Sequence, residues 1–258
     1  MVMNSNEELV MTSVDNGVLR IGLQRPEKRN ALTLAMYDAM TAAIESAECS
    51  SQVRVVLIHG TETCFTSGND LGDFAKNPPT GENSPVYCFL RTISQAKKPI
   101  VAMVSGSAIG IGTTLLLHCD LVYADETAEL KLPFVSLGLC PEAASSYLLP
   151  KLAGHLRASQ MLLLGETIDA ERALQFGLVN QIFPKTELFD RVMEKAHHLA
   201  LQPPESVCLT KSLLKESQAH LVAEVMSKEG ELFVDRLKKP EAQEAISAFL
   251  EGRKPNFF

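Results

Sequence analysis

Three segments of this sequence hold residue types whose order suits the handling of a proton or of a developing negative charge. The first runs from Pro133 to Pro150, where Pro141 and Glu142 precede Ala143-Ala144-Ser145-Ser146. Glu142 stands alone as a carboxylate among Leu139, Cys140, Ala143 and Ala144. By itself the pattern reads first as the opening turn of a helix, with a carboxylate that complements the helix dipole. Its chemical alternative is a general base. The second segment is I-V-A-M-V-S-G-S-A-I-G-I-G-T-T, Ile100 to Thr114. A buried strand that feeds a glycine-rich turn and then a helix leaves main-chain N–H groups unpaired, and such groups hold anions or developing charge. The same glycines equally serve close helix–strand packing. The third is Ser67-Gly68-Asn69-Asp70-Leu71, a turn in which Gly68 and Asn69 tolerate unusual backbone angles and can aim N–H groups into a cleft. On its own it is also an ordinary turn.

Other chemistries find no support in the spacing. The glycines do not follow G-x-G-x-x-G, which disfavours a dinucleotide site, nor G-x-S-x-G, which disfavours a nucleophile elbow. His59, His118 and His155 are isolated and His197-His198 falls in a helical stretch, so no metal site is expected. The six cysteines lie far apart without a C-x-x-C pair, which predicts neither zinc nor a disulfide framework and favours a reducing compartment.

The elements that must carry these segments are legible from periodicity. Val10 to Leu23 reads as two strands around the turn Asp15-Asn16-Gly17. A helix is expected from about Ala31 to Ala47, where Leu32, Met36, Met40, Ile44 and Ala47 form one apolar stripe. Val53 to Ile58, Ile100 to Val104 and Leu121 to Ala124 are short apolar runs of the kind found in buried parallel strands. His59 to Leu71 reads as a loop, Asn77 to Pro85 as a mobile surface loop, and Val86 to Gln95 as a helix. A further helix begins near Gly112. From about Leu156 onward the pattern is helical, with helices expected at 157–164, 169–176, 187–201, 205–216, 220–237 and 241–250. Strands alternating with helices imply a parallel α/β fold. Gln202-Pro203-Pro204 divides an α/β body, residues 1–201, from a helical C-terminal region, residues 202–258.

Bulk properties narrow the partners. The chain has 258 residues, 24 Lys plus Arg against 31 Asp plus Glu, and a net charge of −7. An acidic balance of this kind disfavours nucleic acid and anionic membranes. Pro99 to Cys119 carries no Asp, Glu, Lys or Arg, yet its Gly106, Gly110, Gly112, Ser105, Ser107, Thr113 and Thr114 fit a buried strand, turn and helix start better than a membrane span. Met1 to Val10 lacks the features of a signal peptide, and the C-terminus is no S-K-L address, so a cytoplasmic location is expected.

Taken in order, several motifs resemble the crotonase (enoyl-CoA hydratase/isomerase) superfamily. They are R-P-E-K-R-N-A-L at Arg25–Leu32, F-T-S-G-N-D-L at Phe65–Leu71 and K-P-I-V-A-M-V-S-G-S-A-I-G-I-G from Lys98. C-D-L-V-Y-A at Cys119–Ala124, P-F-V-S-L-G-L-C-P-E-A-A-S-S-Y-L-L-P at Pro133–Pro150 and A-L-Q-F-G-L-V-N at Ala173–Asn180 complete the set. The resemblance implies a crotonase-like spiral of ββα turns, with a C-terminal helical region that supports a homotrimer or hexamer. It implies an acyl-CoA thioester whose carbonyl oxygen is held by the backbone N–H groups of Asn69 and Ile111, the latter replacing a more usual glycine. Coenzyme A would be part of the substrate, and no separate cofactor or metal is implied.

Departures from the family pattern bear on the reaction. Hydratases place two glutamates where this chain has Thr114 and Phe134, whereas Glu142 in P-E-A-A-S-S is similar to the base of the peroxisomal-type 3,2-enoyl-CoA isomerases. The resemblance therefore implies an isomerase that moves the double bond of 3-enoyl-CoA to 2-enoyl-CoA with Glu142 as its single proton carrier. Another crotonase activity, hydratase or acyl-CoA hydrolase, or a catalytically silent acyl-CoA-binding module, stands as the alternative. Substrate contacts are implied at Ser67, Gly68, Asp70 and Leu71 and at Thr114, Phe134 and Leu137. Lys28, Arg29 and Ala31 are implied as further contacts, with the two cations facing the nucleotide phosphates. Burial by Phe134, Leu137 and an acyl chain would raise the Glu142 pKa, against the pull of the helix dipole.

Overall fold

Three short apolar runs become the centre of a six-stranded sheet. In a computed structural model, which describes residues 9–79, 81 and 83–257, β1 (Val10–Asp15) and β2 (Val18–Leu23) form the expected antiparallel hairpin. Asn16 and Gly17 both take positive φ there, as a two-residue hairpin turn of this twist requires. β3 (Val55–His59), β5 (Ile100–Val104), β7 (Leu121–Asp125) and β10 (Gln181–Phe183) add in parallel, giving the order β1-β2-β3-β5-β7-β10. A second sheet of short strands has the order β4-β6-β8-β9, from β4 (Cys64–Thr66), β6 (Ser107–Ile109), β8 (Glu129–Lys131) and β9 (Ile168–Asp169). Each central strand of the large sheet is thus followed by a strand of the small one and then by helix, which is the ββα spiral.

Burial on both faces explains the apolar runs. Side chains alternate across a strand. In β3, Val56 and Ile58 enter the main core while Val55 and Leu57 face a second one. The main core is closed by α1 (Leu34–Cys49) and α3 (Pro85–Gln95) through Met36, Met40, Ile44, Phe89, Leu90 and Ile93. The second is closed by α8 (Lys185–Ala200) through Leu188, Val192, Met193 and Ala196.

The remaining helices are α2 (Leu71–Lys76), α4 (Ile111–Thr114), α5 (Ser145–Ala153), α6 (His155–Ser159), α7 (Ala170–Gln175), α9 (Pro204–Leu237) and α10 (Pro240–Glu251). Several boundaries differ from the sequence expectation. α1 starts at Leu34 rather than Ala31, because Thr33 caps it by accepting the Met36 N–H. The expected loop 59–71 contains β4, held by its pairing with β6. The helices expected at 205–216 and 220–237 are one continuous α9, since Ser217-Gln218-Ala219 contains no breaker. Residues 157–164 divide into the end of α6 and a π-helical turn, Gln160–Leu164. Gln202 and Pro203 lie between α8 and α9. The N-terminal reading for residues 1–8, positions 80 and 82 of the loop 77–85, and Phe258 lie outside the described residues.

Candidate active site

The two glycine-rich turns meet because β4 and β6 are parallel neighbours, with Cys64 opposite Ser107 and Thr66 opposite Ala108. Gly68 follows β4 with φ +90°, and a Cβ built on it would stand 2.7 Å from the Ile109 carbonyl oxygen. A Cβ on Gly112 would stand 2.6 Å from the Thr66 Cγ2. Only glycine at these two places lets the turns close on each other. Their neighbours Asn69 and Ile111 then present main-chain donors. Gly68 O accepts the Leu32 N–H at 2.8 Å and Asp70 N–H donates to Leu32 O at 2.9 Å, so Asn69 N–H finds no acceptor among the described residues. Ile111 is the first residue of α4, where an N–H has no intrahelical partner. Gly68→Ala should cost about 2–3 kcal/mol through positive φ and the backbone clash, and should lower turnover with it. Thermal melts and kcat check this; a variant that melts and turns over like wild type refutes the tight approach.

Glu142 is buried, with 6% of its surface exposed. Its carboxylate accepts a short hydrogen bond from the hydroxyl of Thr114, itself fully buried in α4. Burial pushes the carboxyl up from the ordinary 4.5 to about 8; the Thr114 bond opposes this and the nearby Glu229 reinforces it. The expected place in a first helical turn is not what the fold adopts. α5 begins only at Ser145, after Ala143 and Ala144 have both taken left-handed φ of 59° and 55°. Glu142 lies outside the helix, and its own carbonyl accepts the Ser145 N–H at 3.0 Å. Desolvation, not the dipole, governs its ionisation.

Two consecutive left-handed alanines are costly and must be held by their surroundings. His118 binds the Ala143 carbonyl oxygen through Nε2 at 2.8 Å, and burial lowers its pKa to about 4, which keeps the imidazole neutral. From the other side Glu229 of α9 accepts the Ser146 N–H at 2.9 Å.

The remaining expected contacts divide between structural duty and open surface. Asp70 caps α2 by accepting the Gly72 and Asp73 N–H groups at 3.0 Å, and its second oxygen pairs with Arg25 at 2.6 Å. The Ser67 N–H donates to Arg29 O at 3.0 Å, and Leu71 is the first residue of α2. Lys28 is exposed. Arg29 is exposed along its length but ties one guanidinium nitrogen to Ser107 at 2.7 Å. Ala31 O accepts from Arg25 at 2.9 Å. Phe134 is buried edge-on to Phe233 of α9, with ring centroids 6.5 Å apart, and Leu137 is half-buried beside the core. Among the described residues, no cluster of three or more His, Cys, Asp or Glu could hold a metal ion, and no helix is long and apolar enough to cross a membrane.

Residues 13–258 match the enoyl-CoA hydratase/isomerase family. The chain belongs to that family. It is 33% identical over 254 residues to human enoyl-CoA delta isomerase 2, a match that covers 96% of this chain and 64% of that protein. The chain therefore spans less than two thirds of that relative. It is also 33% identical over 249 residues to 2,3-dehydroadipyl-CoA hydratase of Escherichia coli K12, covering 96% of this chain and 98% of that one. A crystal structure of an enoyl-CoA hydratase/isomerase from Pseudoalteromonas atlantica superposes with a TM-score of 0.92 at 39% identity, over 97% of this chain and all of that one. Both isomerases and hydratases thus stand among the relatives of this crotonase-family member, and the expected crotonase fold is the one observed.

Three residues near the site escaped the sequence reading. Tyr37 is fully buried in α1 and donates its hydroxyl to the Asn69 side-chain oxygen at 2.5 Å. It sits one residue past Met36 on the apolar stripe, where a phenol needs a partner, and that was the available signal. Asn30 is fully buried with φ 53° and joins the 25–31 turn to β4. Glu229 falls in the spacing Val222, Met226, Glu229, Phe233, the buried face of α9. A carboxylate inside an apolar stripe at helical period marks a special position.

Proposed function

We propose that this crotonase-family protein is a 3-enoyl-CoA to 2-enoyl-CoA isomerase with Glu142 as its base. The observation that carries the reading is the buried Glu142 carboxyl, its pKa raised to about 8, bonded to Thr114 at the end of the short helix α4 that opens on Ile111. The ionised carboxylate takes a proton from C2 of the thioester. The C2 electron pair delocalises onto the thioester oxygen and across C3–C4, and the main-chain N–H groups of Asn69 and Ile111 stabilise that oxyanion. A donor of this kind is worth about 3–4 kcal/mol in the transition state. The protonated Glu142 then returns the same proton at C4, and the double bond comes to rest between C2 and C3. No atom is gained or lost, and one carboxylate suffices. Thr114 and Phe134 supply no second base for activating water, which argues against hydration.

Ser67 to Leu71 would hold the thioester end through main chain, with Phe134 and Leu137 beside the acyl group. Lys28 and Arg29 would meet the CoA phosphates. Exposed Leu209, Leu213 and Leu214 on α9 support association into a homotrimer or hexamer. The deciding assay compares conjugation of 3-hexenoyl-CoA, followed by the enoyl thioester absorbance, with hydration of crotonyl-CoA by the same preparation. Isomerisation should be the faster. Faster hydration assigns a hydratase, release of free CoA a hydrolase, and binding without turnover a silent module.

The pH profile follows from the same group. A base must be unprotonated, so kcat/KM for 3-hexenoyl-CoA should rise with pH and level off above about 8. A profile already flat from pH 5 upward would contradict a carboxyl held this high.

A further inference from the structure

Glu229 belongs to the C-terminal helical region, yet its carboxylate lies in the interior, 6% exposed, where an unpaired charge is costly. One oxygen, Oε1, accepts the Ser146 N–H at 2.9 Å. The other, Oε2, is buried and has no hydrogen-bond partner among the described residues. α5 has no cap of its own, because its N-cap position is Ala144 in a left-handed conformation, without a side chain that can accept. The missing cap is supplied from 83 residues away in sequence. The carboxylate is kept in place by its own helix: Gly230 O accepts the Tyr87 hydroxyl at 2.9 Å, and Phe233 packs edge-on against both Phe74 and Phe134.

We propose that Glu229 is a positioning residue for the base: it caps α5 from α9 and thereby holds the left-handed Ala143–Ala144 turn that aims the Glu142 carboxylate at Thr114. A helix start fixed at Ser145 and Ser146 leaves the preceding alanines no freedom to relax into the helix. The turn is then clamped at Ala143 by His118 and at Ser146 by Glu229. A neutral acceptor would serve as a cap, so the choice of a carboxylate has a second effect. Burial raises the Glu229 carboxyl as well, against the hydrogen bond from Ser146; once ionised, its negative charge disfavours ionisation of Glu142 and keeps that base strong. The other groups facing the pair are Tyr37 of α1, Tyr87 of α3, Cys140 on the approach to the turn, and His118. Burial lifts both tyrosines and Cys140 and keeps His118 neutral, so none of them changes charge near neutral pH. Arg236, next to Cys140, and Lys215, next to His118, are the nearby cations, and both are engaged by main-chain carbonyls, of Gly138 and His118.

The inference rests on Glu142 being the base, so Glu142→Gln is measured beside it. Glu229→Ala removes cap and charge; Glu229→Gln keeps an acceptor and removes only the charge. For 3-hexenoyl-CoA, kcat of Glu229→Ala should fall on the order of tenfold or more with KM changed less than about threefold, as expected for a misplaced reacting group. Glu229→Gln should recover most of kcat, and its activity should rise at a pH lower by about half a unit or more. A purely structural role would not move that limb. If Glu229→Gln titrates at the wild-type pH, or either variant changes KM alone, the proposal is overturned. Should Glu229→Ala fail to fold, the Glu229→Gln limb still decides. Full activity in Glu142→Gln would sink the assignment of the base itself; an inert Glu142→Gln beside wild-type behaviour in both Glu229 variants would sink only this inference.

Discussion

Glu142→Gln should fold and lose isomerase turnover on the order of 10³-fold, the scale of a removed general base. Glutamine keeps the volume and an acceptor for Thr114, so the loss would come from proton transfer and not from packing. The same substitution should change stability in a pH-dependent way. The folded protein holds the Glu142 proton up to about 8, whereas an unfolded chain releases it near 4.5. Between those values the folded state binds more protons, so wild-type stability falls as pH rises, and the contribution of the group is gone above about 8. Glutamine has no proton to lose. The variant should therefore melt above wild type at pH 9, with the gap closing toward pH 5. Melting curves across that range test it: a gap of constant size, or one that widens toward acid, shows that Glu142 is not the buried titrating group described here.

The largest loss of stability is expected from Asn30→Ala. The Asn30 amide nitrogen donates to Cys64 O at 2.9 Å and to Phe65 O at 3.1 Å, and its oxygen accepts the Arg25 N–H at 2.8 Å. Its own carbonyl takes the Thr66 hydroxyl at 2.6 Å. Alanine keeps the backbone carbonyl and so the Thr66 bond, and Cys64 O still accepts the Thr61 N–H at 3.0 Å. It removes the three side-chain bonds and tolerates positive φ less well than asparagine, for a combined cost of about 3–5 kcal/mol. Because β4 carries the turn with Gly68 and Asn69, turnover should fall even at temperatures where the variant is folded. Denaturant unfolding with kcat measured at 15 °C separates the two effects. A loss under about 1 kcal/mol would show that solvent replaces these bonds, and that the turn is not held from Asn30.

Much of the molecule could be read from local pattern. The hairpin at Asn16-Gly17 and the parallel strands β3, β5 and β7 declare themselves by residue type and period. The segments containing Glu142, Asn69 and Ile111, by contrast, read equally as a helix start, a plain turn and a packing turn until the family motifs are taken in order. What misled was equally local. Pro141-Glu142 looks like a helix start, but the two alanines after it turn left-handed and postpone α5 to Ser145. Residues 64–66 have no pattern that separates a three-residue strand from a loop, because pairing with β6 makes the strand. Residues 217–219 separate two expected helices, yet nothing in them breaks one, and α9 runs through.

The sequence by itself determined the hairpin, the buried parallel strands and most of the longer helices, the main-chain turns that can offer donors, and which carboxylate sits among apolar neighbours, because each follows from spacing within a few residues. Only the tertiary structure decided that Glu142 is buried against Thr114, that Tyr37 reaches Asn69, and that the cap of α5 comes from Glu229. Those facts depend on which distant surfaces exclude water together. A carboxylate's proton affinity is set by that exclusion, and no residue's neighbours in sequence can specify it.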